Sequence, residues 1–380
     1  MEIKSEFEKP ERLYDIDWLR VLGILAVFLF HCSHYFDFED WHVKNPTPDI
    51  FITVVADIII IWVLPLIFII SGISARISLS FQKAGKFIKG KMFRLLIPLV
   101  FGIIFLTPHQ VYIERFTHGQ FSGSFFGFLP HYFDGLYGIN GNFGWMGLHL
   151  WYLEILFFYS LILLPLFLLF RKGALVKPIS RFFSKPGMIF IIFIPLALFE
   201  VFIHPDGLGM REFAGWGILT YLLVFIYGYV IFSSSDVRKA AEKLRFLALI
   251  LALGCFGVRV YTDVKELITP FGTIYYAIFF MIRTFCMLNF IIAIIGFANR
   301  SLQVNNGYLS YSNEAVLPFY ILHQPIIVAI GFFIINWGIH PIPKWLFLIV
   351  SSFITIMIIY HFVIRRNNPL RFLFGMKLRR

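Results

Sequence analysis

Charge is scarce in this chain. Of its 380 residues only 14% are Asp, Glu, Lys or Arg, while 59% are hydrophobic. Soluble domains carry about 25% charged residues, so a soluble fold is excluded. Cysteine is nearly absent. Cys32, Cys255 and Cys286 each sit in an apolar segment, at spacings that match neither a disulfide framework nor a metal motif. There is no Gly-rich nucleotide loop of recognisable spacing and no His-Glu-x-x-His, which removes two common routes to phosphate and zinc chemistry. No internal repeat and no paired interrupted helices are visible, which argues against many transporter folds. The N-terminus "MEIKSEFEKPERLYDID" lacks a basic n-region and a small-residue cleavage site, so the first apolar segment is expected to stay as a signal anchor.

What the chain has instead is apolar length. Phe alone occurs 48 times. The long runs are solidly apolar without a period of two, so they read as helices and not as barrel strands. With about 20 residues per crossing, ten spans are expected, near 17–36, 50–74, 95–113, 146–170, 188–204, 214–232, 246–261, 271–297, 315–336 and 345–364. Pro165 falls inside the fourth, where a membrane helix tolerates it. The fold expected is all-α and polytopic. A single membrane domain covers 1–380, with cytoplasmic tails at 1–16 and 365–380.

Basic residues set the orientation. Segments 76–94, 171–187 and 233–245 read as basic connectors. With both termini placed inside, 26 Lys and Arg fall in cytoplasmic regions and 5 in outer loops, while Arg259 and Arg283 lie within spans. That asymmetry predicts cytoplasmic termini. It also accounts for the net charge of +11 without nucleic acid. The longest outer loop, 114–145, is rich in Gly and aromatic residues. It reads either as an interfacial loop with rings at headgroup level or as a platform on which sugar faces stack.

Ionisable groups inside spans are expensive and mark functional sites by default. The candidates are Arg20, His31, His34, Asp57, His149, Glu154, Arg259, Arg283, His323 and His361. His149, Glu154 and Arg259 fall near expected span ends, where water is in reach, and His361 near the cytoplasmic boundary reads as structural. Asp57 and Arg283 are deeper, and either a mutual pair or a functional role fits them. Arg20 and His31 are 11 residues apart. At ~100° and ~1.5 Å per residue they share one helix face, roughly 16 Å apart along the axis. His34 is one turn further on.

Five stretches resemble the integral membrane acyltransferases called acyltransferase family 3. "DWLRVLGILAVFLFH" (17–31) is similar to the first-helix signature, an Arg followed at this spacing by a His taken to be catalytic. "PLIFIISGISA" (65–75) resembles the end of the second helix. "KGKMFRLLIPLVFG" (89–102) resembles the basic run before the third, with Lys91 and Arg94 where the family usually has two arginines. "HLWYLEILFFY" (149–159) resembles the His-x-Trp-x-Leu signature, and "YILHQPII" (320–327) the penultimate His-Pro segment. Many O-acetylating members carry a Glu five residues after the Trp. Here Leu156 stands there, so Glu154 does not inherit that role. With "HVKNPTP" (42–48), the pattern looks closer to the branch resembling glucan succinyltransferases.

The resemblance implies transfer of an acetyl or succinyl group from cytoplasmic acyl-CoA, a co-substrate and no resident cofactor, to a hydroxyl of an extracytoplasmic glycan at the bacterial cytoplasmic membrane. His31 is the expected catalytic base. Arg20, Lys91 and Arg94 are the expected contacts to CoA phosphates. His34, His149, Trp151, Arg283 and His323 are candidate substrate or transition-state contacts, Trp151 or Arg283 as the oxyanion donor. A second carboxylate on the acyl group would call for a cation such as Arg283. No metal is expected. The rival reading is a transporter or exporter, which explains the helices but not the ordered motifs. A haem or quinone protein ranks third, because His31 and His34 do not face each other from separate helices.

Overall fold

A computed structural model describes residues 12–134, 143–171, 173–206, 211, 213–264 and 270–379. Among these residues every regular element is helical. Helix α1 is Tyr14–Ser33 and α2 is Ile50–Phe81. Helix α3, Ala84–Leu106, bends by 42° into α4, Pro108–Thr117. Helix α5, Leu148–Ile162, bends by 56° into α6, Leu164–Arg171, and α7, Val176–Phe183, turns through 119° into α8, Met188–Phe202. Then come the shorter α9, Ile218–Phe232, and the long α10, Ser235–Thr262, α11, Ile274–Ser301, α12, Gly307–Ile334, and α13, Pro341–Ile364. A short α14, Asn368–Leu373, follows. Among the described residues six helices are individually long and apolar enough to cross a bilayer, and counting each bent pair as one crossing gives up to nine. The chain is an all-helical, multi-pass membrane protein.

The connectors differ from the sequence expectation. Segment 76–94 finishes α2 and opens α3, 171–187 contains α7, and 233–245 is largely the first turns of α10. Hydropathy marks where lipid contact ends. Lys, Arg, Ala and Glu are good helix formers, so the backbone helix runs on past that point. The expected span 146–170 is not one rod. It breaks at Leu163, because Pro165 has no N–H for the Leu161 carbonyl and its ring clashes with that carbonyl in a continuous helix.

The chain divides into two compact units, residues 1–23, 58–87 and 163–310, and residues 24–57, 88–162 and 311–380. In the first, α2 and α9 meet at glycine. A Cβ on Gly72 would lie 2.2 Å from the Phe225 carbonyl, and one on Gly228 would lie 2.1 Å from the Ile69 carbonyl. Such close approach is how helices associate where lipid offers no hydrophobic drive. Pro65 lies inside α2, and its missing N–H strips the Ile61 carbonyl of its helical partner. The Trp216 indole N–H donates to that carbonyl at 3.1 Å.

In the second unit, the outer half of α1 packs on α12 and α13. Phe28 meets Phe319 edge-on at 5.4 Å, and the Tyr35 hydroxyl donates to the Val328 carbonyl at 2.9 Å. The Trp345 indole donates to Ser33 Oγ at 3.1 Å. On the sequence side of the long outer loop, Val111, Phe128, Tyr132 and Leu148 form a buried cluster against Tyr112 and Phe121. Phe126 stays 80% exposed. Residues 135–142 of that loop lie outside the described residues.

Candidate active site

The second unit gathers imidazoles from three helices. His31 comes from α1, His149 from the start of α5 and His323 from α12. Their partners fix their tautomers. His31 Nδ1 lies 2.9 Å from the Val27 carbonyl, so that nitrogen carries the proton. His323 Nδ1 lies 2.5 Å from the Tyr320 carbonyl, so its Nε2 is an acceptor. That Nε2 sits 3.3 Å from His31 Nδ1 and shares its proton. Both contacts to His31 therefore fall on Nδ1, which leaves the lone pair of His31 Nε2 for chemistry.

His149 is held by a proline effect. Pro325 interrupts α12 and removes the N–H that would otherwise bond the Ile321 carbonyl. His149 Nε2 lies 3.1 Å from that carbonyl and donates to it. The Tyr320 hydroxyl in turn donates to the His149 carbonyl. His149 Nδ1 is buried and has no hydrogen-bond partner among the described residues. The chain reaches His149 through two left-handed residues, Gly147 at φ 74° and Leu148 at φ 52°. The second is strained for a non-glycine. The expectation that His149 merely reaches water at a helix end is corrected: its side chain is buried, and its ring packs 4.9 Å from that of His323.

Beyond α1 the chain folds back as a polar loop. Asp37, 2% exposed, accepts His34 Nδ1–H at 2.5 Å and the Lys44 ammonium at 2.6 Å. Lys44 also donates to the His34 and Asp37 carbonyls, at 2.7 and 2.8 Å, which caps the end of α1. Asn45 takes the Lys344 ammonium at 2.8 Å. This bracing places Trp41 with ring centres 6.1 Å from His31, 5.5 Å from His34 and 5.2 Å from His42. His42 pairs with Glu114 at 2.5 Å. Asp37, Trp41, His42, Lys44, Glu114 and Tyr320 were not singled out from sequence. The only hint was "HVKNPTP", polar where a loop between spans needs no such bracing.

The remaining candidates lie elsewhere. Arg20, on α1 within the first unit, donates to Asp17 at 2.9 Å and to Ser74 Oγ at 2.9 Å. Asp17 also takes Arg12 at 2.6 Å. Lys91 is half-buried and Arg94 exposed at the head of α3, where Met92–Leu96 widens into a π turn. The C-terminal segment docks there: a Cβ on Gly375 would lie 3.1 Å from the Arg94 carbonyl, and Phe374 packs 5.3 Å from Phe101. Trp151 and Glu154 are half-buried on α5. His361 receives the Tyr311 hydroxyl at 3.0 Å. Arg283 belongs to the first unit. No group of residues fit to hold a metal ion occurs among the described residues.

Comparison with known proteins gives this arrangement a context. Glucans biosynthesis protein C of Escherichia coli O81 (strain ED1a) is 26% identical over 393 residues, covering 97% of this chain and 95% of that protein. The protein of the same name from Escherichia coli O1:K1 / APEC is also 26% identical over the same shares, and that from strain HS 25%. No solved structure matches. The acyltransferase family 3 profile, described as an acyltransferase domain, matches residues 13–361. That match takes in α1 with His31, the head of α3, the start of α5 with His149 and α12 with His323, so the chain belongs to acyltransferase family 3.

Proposed function

We propose that this protein moves an acyl group, acetyl or succinyl, from cytoplasmic acyl-CoA to a hydroxyl of an extracytoplasmic glycan. The observation that carries the reading is the tautomer of His31. A neutral imidazole with Nδ1–H spent on the Val27 carbonyl and His323 presents the lone pair of Nε2 as a general base. Nε2 takes the proton of the acceptor hydroxyl, and the oxygen attacks the thioester carbon. The tetrahedral intermediate expels CoA as thiolate, and the imidazolium returns the proton to sulfur. Trp151 is the proposed donor to the oxyanion. Lys91 and Arg94, and separately Arg20, are the proposed phosphate contacts of CoA. Trp41, a flat apolar face flanked by His34, His42 and their carboxylates, suits the stacking of a sugar ring with hydroxyls held at its edge.

The glycan acceptor draws support from relatives named for glucan biosynthesis. The orientation draws support from the 26-to-5 bias of basic residues. With three bent pairs and α9 each taken as a crossing, the chain crosses the bacterial cytoplasmic membrane ten times with both termini inside. The test is mass analysis of cell-envelope glycans from cells with the wild-type gene, without it, and with His31→Asn. An acyl-sized mass present only with wild type is expected. A folded His31→Asn protein that restores the modification would remove His31 as the base, and no mass difference on deletion would remove the glycan acceptor.

A further inference from the structure

The second unit carries cations that the proposed reaction does not use. They sit where two helices leave their apolar stretches. Helix α13 finishes at Ile364, and Arg365 and Arg366 follow at once, while Lys89 stands just ahead of the apolar part of α3. The segment after α13 does not trail away. Arg371 is buried. Its Nε–H donates to the Lys377 carbonyl at 2.7 Å and its Nη1 to the Arg365 carbonyl at 3.1 Å. Asn368 and Arg379 are joined reciprocally: Asn368 Nδ2 donates to the Arg379 carbonyl at 3.1 Å, and the Arg379 N–H donates to Asn368 Oδ1 at 2.9 Å. The backbone that presents Arg366, Lys377 and Arg379 is therefore fixed.

The charge at this end is one-sided. Glu314 is the only Asp or Glu in 311–380, and 88–113 has none. Glu314 is already taken, since Oε2 accepts Arg365 at 2.9 Å and Oε1 accepts Arg371 at 2.9 Å. Lys89, Arg366, Lys377 and Arg379 are exposed, and their side chains make no ion pair among the described residues. The same end is also apolar at its rim. Phe93 of α3 and Phe372 of α14 meet with ring centres 5.9 Å apart, and both stay exposed. Lys89 Nζ lies 5.9 Å from the Phe93 ring centre, and the Arg366 guanidinium 5.2 Å from that of the exposed Phe362. Rings beside cations match a partner that is apolar over most of its length and anionic at one end. A water-soluble polyanion would leave the rings in water, and a second copy of this face would set cations against cations.

We propose that the end of α13, with α14 and the head of α3, is a binding surface for anionic phospholipid. Headgroup phosphates pair with Lys89, Arg366, Lys377 and Arg379, and acyl chains lie along Phe93, Phe372 and Phe362. The surface stands whether or not the transferase reading holds, because its test uses neither CoA nor glycan.

The test titrates lipid-stripped wild-type protein in neutral detergent with phosphatidylglycerol or phosphatidylcholine and counts bound lipid by native mass spectrometry. Phosphatidylglycerol should bind at least about fivefold more tightly. The combined variant Lys89→Gln, Arg366→Gln, Lys377→Gln and Arg379→Gln removes no side chain that braces the segment, and its preference should fall to within about twofold. Gln in place of Lys177, Arg181, Lys185 and Lys239, four exposed cations of the first unit, should leave the preference intact. Equal binding of the two lipids, or equal loss in the two variants, overturns the surface. Acylation of wild-type lysines by a water-soluble succinimidyl ester, located by mass spectrometry, gives a second readout. Phosphatidylglycerol, and not phosphatidylcholine, should protect Lys89 and Lys377 and leave Lys177 and Lys239 reactive. Absence of that selectivity overturns the surface. Protection of Lys89 and Lys377 without lipid, in a protein that runs as a dimer, would assign the face to a second copy and also overturns it. If the combined variant does not fold, the wild-type acylation pattern decides alone.

Discussion

At the scale of the residue, what matters is which nitrogen of each histidine is already spent. His31 and His323 both commit Nδ1 to a backbone carbonyl, whereas His149 commits Nε2. The same side chain is thus used in opposite tautomers within one cluster. Trp41 is the residue whose role is most open to measurement. Trp41→Ala should raise the acceptor KM by roughly tenfold or more, from ~1.5–3 kcal/mol of lost aromatic burial. It should leave kcat within about threefold, because Trp41 holds no reacting proton. Trp41→Phe should recover most of the loss. Steady-state kinetics over a range of acceptor concentration will show this, and an unchanged KM in Trp41→Ala would leave the indole with a packing role only. Sequence reading reached His31 because an Arg and a His eleven residues apart define a helix face. It missed Trp41 because a loop has no period, and this one is held by partners such as Lys344 that are remote in the chain.

At the scale of the element, prolines set the site. Removing one helical N–H hands a carbonyl to a side chain from another helix. Pro325 gives the Ile321 carbonyl to His149 in this way. Pro325→Ala restores a backbone donor to Ile321 and makes it compete with the imidazole. Activity should fall at least tenfold while Tm holds or rises, since proline inside a helix costs ~3 kcal/mol. Activity and thermal melts on the same preparation are the check. Full activity would mean that His149 does not need that carbonyl. The positions of the apolar segments were legible from hydropathy, but their ends were not. Helix propensity carries α2, α3 and α10 into polar sequence, and Pro165 turns one expected rod into two. The freed carbonyls were visible in principle four residues before each internal proline. Their partners were not, because these depend on which helices pack together.

At the scale of the whole molecule, the distribution of Lys and Arg makes an orientation testable. Ser122 and Ser235 are both exposed, whereas Ser180 is buried with its hydroxyl on the Val230 carbonyl and would label poorly. In a cysteine-free background, a membrane-impermeant maleimide added to intact cells should label Ser122→Cys and spare Ser235→Cys. Permeabilised cells should label both. The reverse pattern would invert the topology.

The order of synthesis gives the Pro65 contact a consequence in time. Trp216 lies 155 residues beyond Ile61. At ~5–20 residues per second, a ribosome needs roughly 8–30 s to make that stretch. Throughout that interval α2 has a carbonyl that its own helix cannot satisfy, in a solvent that offers no hydrogen-bond donor. Ile321 faces no such delay, because His149 emerges long before it. Newborn α2 therefore needs shelter at Ile61, from the insertion machinery or from water at the membrane edge, until the later helices arrive.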